Sequence, residues 1–195
     1  MTDKVEKELR NQRIETYDRE IAPYLDFDPK SFLLMTGFFD APASTKYHGA
    51  YPGGLFDHSM NVTRNLLTLT KNMNLHWSRI ESPYIIGFFH DICKMDQYVP
   101  KPGQYTADGQ ILNNGFHYEF NKNTMYKGHG DKSVLILSTL TQLTAEEVTC
   151  ILYHMGSFTE KELWNDYTGA IHAFPNVLFT HMADMMAAHI TEVDT

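Results

Sequence analysis

The chain has 195 residues, a length that fits one domain with a single hydrophobic core. Hydrophobic residues make up 43% and charged residues 21%, which is typical of a globular protein, and no apolar stretch has the length of a membrane span. The formal net charge of −8 argues against an extended nucleic-acid-binding surface, but not against a small phosphorylated substrate held through metal ions.

The N-terminal segment predicts a helix that lies on the surface of the domain. Residues 3–20 are strongly charged and carry apolar side chains at helical spacing, so we expect an amphipathic helix and not a secretory signal. Pro23 and Pro29 interrupt this pattern, and a short apolar helix is predicted over 30–39.

A first inner helix is predicted after a loop rich in Ala, Pro, Ser and Gly over 40–54. Two glycines at the end of this loop permit a tight turn into a helix over about 55–72. His58, Val62 and Leu66 follow helical spacing there, so His58 faces the core. Considered alone, the spacing favours a core histidine bonded to a carbonyl group over a metal ligand.

The dipeptide His90-Asp91 closes an apolar run and is the most informative feature of the chain. Ser82 as N-cap and Pro83 in the first turn predict a helix over 83–95 that carries it. Two polar residues at the end of a core helix are costly to bury. A metal ion that takes the imidazole and the carboxylate together lowers that cost.

Residues 96–127 change character and predict a long excursion with one short β-hairpin. The pair Asp108-Gly109 is a hairpin signal. Excursions of this length are often functional. The aromatic residues here either stack on a substrate base or hold the loop against the domain: Tyr105, Phe116, Tyr118 and Phe120.

The C-terminal part predicts three further helices. One spans about 130–142, one opens at the capping box of Thr144 and ends near His154, and the last spans about 175–191. Asp184 lies on the apolar face of the last helix, one turn after His181.

These elements predict an all-α class in a single domain, 1–195. Residues 1–45 form an N-terminal helical extension packed on a core of residues 46–190. Cys93 and Cys150 lack the spacing of a metal or redox motif, which indicates buried reduced thiols and a cytoplasmic protein. The oligomeric state stays open.

Several segments together resemble the HD-domain superfamily of metal-dependent phosphohydrolases, over roughly residues 46–190. They are His48 to His58, similar to His-x-x-x-x-Gly-Gly-Leu-x-x-His; His90-Asp91-Ile92-Cys93-Lys94, similar to His-Asp-Ile-Gly-Lys; Gly128-His129-Gly130-Asp131-Lys132-Ser133, similar to Gly-His-Gly-Glu-Lys-Ser; Ile151 to Gly156, similar to Leu-x-x-His-His-Gly; and Ala183-Asp184. Cys93 replaces a glycine of the family pattern, and Met155 replaces a histidine.

The resemblance implies an HD-type helical bundle with two divalent metal ions. It implies that Asp91 bridges the ions and that the remaining ligands are His58, His90, Asp184, His129 and His154. The mix of His, Asp and oxygen ligands suits Mn, Fe, Ni, Co or Mg more than a structural Zn site. The candidate catalytic residues are Asp91, Lys94 and Lys132. The two lysines are candidates for contact with a substrate phosphate. A solvated lysine at a helix end is the alternative for Lys94.

The function expected from this resemblance is hydrolysis of a phosphomonoester or phosphodiester by metal-activated hydroxide. The substrate is expected to be small and phosphorylated, of nucleotide type, with no membrane and no extended nucleic acid involved. Two alternatives use the same residues. One is an HD-fold di-iron oxygenase, and the other is a non-catalytic HD domain that binds a nucleotide.

Overall fold

A computed structural model describes residues 3–101 and 117–192 of the chain. The predicted all-α class with a short hairpin is confirmed within these ranges. The helices are α1 (Asp3–Glu20), α2 (Lys30–Thr36), α3 (Gly54–Met73), α4 (Ser82–Phe89), α5 (Gly130–Leu137), α6 (Ala145–Leu152), α7 (Trp164–Ala173) and α8 (Asn176–Met186). None of the described helices is long and apolar enough to cross a membrane.

The core lies where α3 packs against α4 and α8. An aromatic group joins the N-terminal helices to it: the ring of Tyr17 on α1 contacts Phe39 and Phe88, with centroids 5.9 and 5.5 Å apart. All three side chains are fully buried. Helix α1 therefore contributes to the core as well as covering it.

Two glycines allow close contact between helices that carry candidate ligands. A Cβ atom at Gly87 would lie 2.7 Å from the Cα atom of Thr63, so only glycine permits the observed contact of α4 with α3. A Cβ atom at Gly130 would lie 2.5 Å from the carbonyl oxygen of Leu152, which sets the start of α5 against the end of α6. These contacts bring histidines from different helices together.

The helix predicted over 83–95 is shorter than expected. Helix α4 ends at Phe89, Asp91 has φ −108° and ψ 18°, and a 3₁₀ helix follows over Ile92–Asp96. Successive residues of an α-helix point about 100° apart. The departure from helical geometry at Asp91 turns its carboxylate toward the same point as the imidazole of His90.

The prediction that Ser82 caps this helix is wrong. Ser82 is the first residue of α4, and its hydroxyl donates a hydrogen bond to Oε1 of Glu147, at 2.9 Å. The capping box of Thr144 is confirmed: its hydroxyl accepts from the backbone N–H of Glu147, and Glu147 Oε2 accepts from the N–H of Thr144. Glu147 thus joins the two helix starts.

The hairpin strands are β1 (Tyr98–Pro100) and β2 (Tyr118–Phe120), which pair antiparallel with Tyr98 opposite Phe120. The turn predicted at Asp108-Gly109 lies outside the described residues, as do Tyr105 and Phe116. Strand β1 starts two residues after the 3₁₀ helix that follows Asp91, so this hairpin borders the site.

Two helices end earlier than predicted. Helix α5 ends at Leu137 instead of residue 142, where the hydroxyl of Thr139 donates to the carbonyl of Ile136 and competes with helical pairing. Helix α6 ends at Leu152, which leaves His154 in the following turn. Helix α8 continues through a π-helical turn over Ala187–Thr191, close to the predicted end.

Candidate metal centre

Six side chains predicted as metal ligands converge at one buried point. They come from α3 (His58), the end of α4 (His90 and Asp91), the residue before α5 (His129), the turn after α6 (His154) and α8 (Asp184). Four of the six, all except His129 and Asp184, are at most 2% exposed. Side chains separated by up to 126 positions in sequence thus share one site.

One half of the centre surrounds Asp184. Nε2 of His58 lies 3.1 Å from its Oδ1 atom, and Nε2 of His90 lies 3.9 Å from the same oxygen. The same two imidazoles face Oδ2 of Asp91, at 3.7 and 3.4 Å. Two imidazoles and two carboxylates therefore surround this point.

The other half surrounds the second oxygen of Asp91. Nε2 of His129 lies 3.2 Å from Oδ1 of Asp91, and Nε2 of His154 lies 3.5 Å from it. The two Nε2 atoms are 3.1 Å apart. Asp91 thus presents a different oxygen to each half.

The Nδ1 atoms of the histidines have their own partners. Nδ1 of His90 donates to the carbonyl of Gly87 at 2.9 Å, and Nδ1 of His154 donates to the carbonyl of Ile151 at 2.7 Å. A carbonyl only accepts, so these bonds place the proton on Nδ1 and leave the Nε2 lone pair facing the centre. The fold therefore selects the tautomer that binds a metal ion.

The other two histidines use side-chain partners that the sequence analysis did not identify. Nδ1 of His58 lies 3.1 Å from Oε1 of Glu192, and Nδ1 of His129 lies 3.4 Å from Sγ of Cys93. No motif pointed to Glu192, because it follows the resembling segments. Cys93 occupies the position where the family pattern has glycine.

Charges around the centre favour ionised aspartates. Burial alone would raise the pKa of Asp91, but the electrostatic interactions of its carboxylate with Lys94 first, and with His90 and His129, outweigh burial and hold that pKa well below its ordinary value. Burial likewise opposes the ionisation of Asp184, but contacts with His58 and His90 lower its pKa. Both carboxylates are therefore anionic and available to a cation at neutral pH.

The pKa values of His58 and His129 are shifted in opposite directions. Burial opposes protonation of His58, but the carboxylates of Asp184 and Glu192 raise its pKa to about 9. Burial lowers the pKa of His129 to about 4, against the attraction of Asp91. A metal ion would therefore displace a proton at His58 and find His129 already neutral.

Several buried polar atoms of the centre lack a hydrogen bond among the described residues. They are Nε2 of His58, Nε2 of His90 and Oδ1 of Asp91. Each faces other candidate ligands at 3.1–3.4 Å without hydrogen-bond geometry. All three point into the cluster, and nitrogen with oxygen is a donor set that suits divalent transition metals. The buried histidines and aspartates can therefore hold a metal ion, and they fit the expected group.

The centre opens into a cavity of about 850 Å³. Asp91, His129 and Asp184 line it on the side of the cluster, where Nζ of Lys94 lies 2.6 Å from Oδ2 of Asp91. Burial alone would lower the pKa of Lys94, but Asp91 raises it, so the lysine is a cation at the cavity wall. Lys94 thus lies where an anionic ligand would contact it.

The structure does not bring Lys132 to this cavity. Its side chain is 1% exposed, and its ammonium group pairs with the carboxylate of Asp96. Cys93 N–H donates to the hydroxyl of Ser133 beside it, at 3.2 Å. The segment around Lys132 therefore holds α5 against the 3₁₀ helix, and we assign this lysine no contact with substrate.

Two further histidines flank the ligands. The ring of His48 lies 5.3 Å from that of His58 and lines the cavity. Nδ1 of His181 donates to the backbone carbonyl of His154 at 2.9 Å, which fixes the turn that carries this ligand.

Fold and site together define an all-α protein with a buried histidine–aspartate centre at the floor of a cavity. Comparison with protein-family models, with curated proteins and with solved structures gave no match. The functional interpretation therefore depends on the residues of the site.

Proposed function

We propose that the protein is a metal-dependent phosphohydrolase that acts on a small nucleotide-type phosphoester. The observation that carries this proposal is the position of Asp91, whose two oxygens face two separate pairs of histidines. The resemblance of the ligand segments to HD-domain phosphohydrolases points to the same chemistry.

The residues suit two divalent ions of the Mn, Fe, Co, Ni or Mg type. His58, His90 and Asp184 would hold one ion, His129 and His154 would hold the other, and Asp91 would contribute to both. Ions at these positions would acidify water and neutralise charge on phosphoryl oxygens.

Lys94 gives the cavity its own attraction for an anion. Its ammonium group lies beside Asp91 and is 11% exposed, so it faces the cavity instead of bulk solvent. A phosphate in front of the centre would contact this cation, which orients the phosphorus atom toward Asp91. The aspartate in turn keeps the lysine protonated.

The side chains that line the rest of the cavity suit a substrate with a flat apolar part. Tyr153, Met155, Phe158 and Leu163 line the wall after α6. A nucleobase stacks on such aromatic and apolar side chains, whereas inorganic phosphate or pyrophosphate would leave them without a contact. A nucleoside phosphate places its anion at Lys94 and its base against this wall.

The test is a substrate screen with metal-stripped protein reloaded with Mn²⁺, Co²⁺, Ni²⁺ or Mg²⁺. We expect phosphate or nucleotide release from some members of a panel of mononucleotides and dinucleotides. We expect the loss of that activity in Asp91→Asn and its retention in Asp57→Asn, a control whose carboxylate pairs with Arg13 outside the site.

Other outcomes would overturn the proposal. Substrate consumption that requires iron and O₂ would assign an oxygenase. Tight nucleotide binding without turnover under any metal would assign a binding domain.

A further inference from the structure

Glu192 is a buried carboxylate next to the metal centre that does not face the cavity above it. It is 8% exposed and follows directly on the π-helical turn over Ala187–Thr191. Its oxygens lie 3.1 and 3.3 Å from Nδ1 of His58, on the side of the ring opposite to the cluster. It is thus placed to act on the centre through His58.

The carboxylate is held in place by a third residue. Nδ2 of Asn61 donates to Oε1 of Glu192 at 3.1 Å, and Asn61 lies on α3 less than one turn after His58. Glu192 therefore meets His58 in a fixed position.

His58 needs such a partner more than the other buried histidines do. His90 and His154 are oriented by backbone carbonyls within their own turns. No backbone carbonyl among the described residues takes this part for His58, so the orientation of its ring depends on a side chain. An ionised carboxylate also increases the electron density on the imidazole and strengthens it as a ligand.

We propose that Glu192 is a positioning residue of the metal centre, which accepts the Nδ1–H bond of His58 and strengthens metal binding at the position formed by His58, His90 and Asp184. This inference rests on the metal-dependent function proposed above. It predicts an asymmetric effect, because neither His129 nor His154 contacts Glu192.

The test is titration of metal-stripped protein with Co²⁺, followed by its visible absorbance and by calorimetry. We expect Glu192→Ala to weaken one of two Co²⁺ sites by roughly 10- to 100-fold, the usual effect of removing such an outer carboxylate. Glu192→Gln keeps an acceptor but loses the charge, so we expect a smaller loss. Glu146→Gln is the matched control, because this buried glutamate contacts Ser78 and Asn176, away from the centre.

A double-mutant cycle separates positioning from a general loss of structure. In a His129→Ala background, Glu192→Ala should weaken the remaining Co²⁺ site as before. In a His58→Ala background, Glu192→Ala should change Co²⁺ affinity by less than about twofold, since the residue through which it acts is gone. An equal loss in both backgrounds would refute the positioning role.

The remaining outcomes are also decisive. The ligand atoms of His48, His58 and Glu192 lie within 4.8 Å of one another, so Glu192 could instead bind a cation itself. A third Co²⁺ ion that is lost in both His48→Gln and Glu192→Ala would overturn our inference in favour of direct ligation. Two Co²⁺ sites unchanged by Glu192→Ala would overturn the inference alone, whereas wild-type protein that binds no metal would overturn the proposed function as well.

Discussion

Replacing Asp91 with Asn removes one negative charge from the middle of the centre at almost constant volume. The structure predicts that the metal-free protein becomes less stable. Oδ2 of Asp91 lies 2.6 Å from Nζ of Lys94, whose side chain is 11% exposed. The variant leaves that lysine without its counter-charge in a largely buried position.

The expected magnitude follows from this ion pair. Breaking a buried ion pair by removing one partner costs about 3–5 kcal/mol of unfolding free energy. Lys94 reaches the cavity and retains some solvent contact, so we expect the lower end, about 3 kcal/mol. For a protein of this length, that corresponds to a fall in melting temperature of roughly 6–12 °C.

The predicted loss of stability agrees in direction with the pKa shift of Asp91. Because the folded structure holds its pKa below the ordinary value, the charged form stabilises the fold. This contribution is present above the unfolded pKa of about 4 and is lost as the pH falls through the folded value. Measurements at pH 7 therefore contain it in full.

The assay is urea and thermal unfolding in EDTA, with Asp57→Asn as the control. Asp57 pairs with Arg13 at 3.1 Å but is 35% exposed, so we expect a loss of only about 0.2–1 kcal/mol there. An Asp91→Asn protein as stable as the wild type, or more stable, would refute the reasoning. It would mean that repulsion between Asp91 and Asp184 outweighs the attraction of Lys94.

Three further predictions concern His129, the proton on His58 and the cap of helix α6. On the proposed two-ion centre, His129→Ala should reduce Co²⁺ stoichiometry from two to one, since its side chain faces one half only; two ions in the variant would contradict this division of the centre. Metal binding at pH 7.5 should release a proton because the pKa of His58 is about 9, so calorimetry in buffers of different ionisation enthalpy should give different apparent enthalpies; equal values would contradict that proton. Thr144→Ala should cost about 1 kcal/mol of stability by removing the cap of α6, without changing metal affinity, as measured by urea unfolding and Co²⁺ titration.

The all-α class and the order of the helices followed from local patterns. The capping box of Thr144 and the apolar face that carries His58 depend on neighbours within one or two helical turns, which a sequence displays directly. The grouping of distant ligands came from the resemblance of whole segments. Periodicity places His58 and Asp184 on inward faces, but it does not say that these faces meet.

Other features depended on tertiary contacts and could not be predicted. Ser82 has the residue type of an N-cap, but its hydroxyl bonds to Glu147 from another helix. Lys132 lies in a segment that resembles a family motif, but Asp96 holds its ammonium group away from the cavity. Glu192 follows the last resembling segment, and only the π-helical turn after α8 directs it toward His58.

The contacts of the centre favour a metal-binding role over a structural polar network. A network selected for stability gives its buried groups hydrogen bonds, because each donor or acceptor without one lowers the stability. Here the outer Nδ1 atoms of His58, His90 and His154 are hydrogen-bonded, whereas the inner atoms of His58, His90 and Asp91 face other candidate ligands without hydrogen-bond geometry. The atoms without hydrogen bonds therefore lie on the inner side of the ligand set, which is the pattern expected where a cation completes the site.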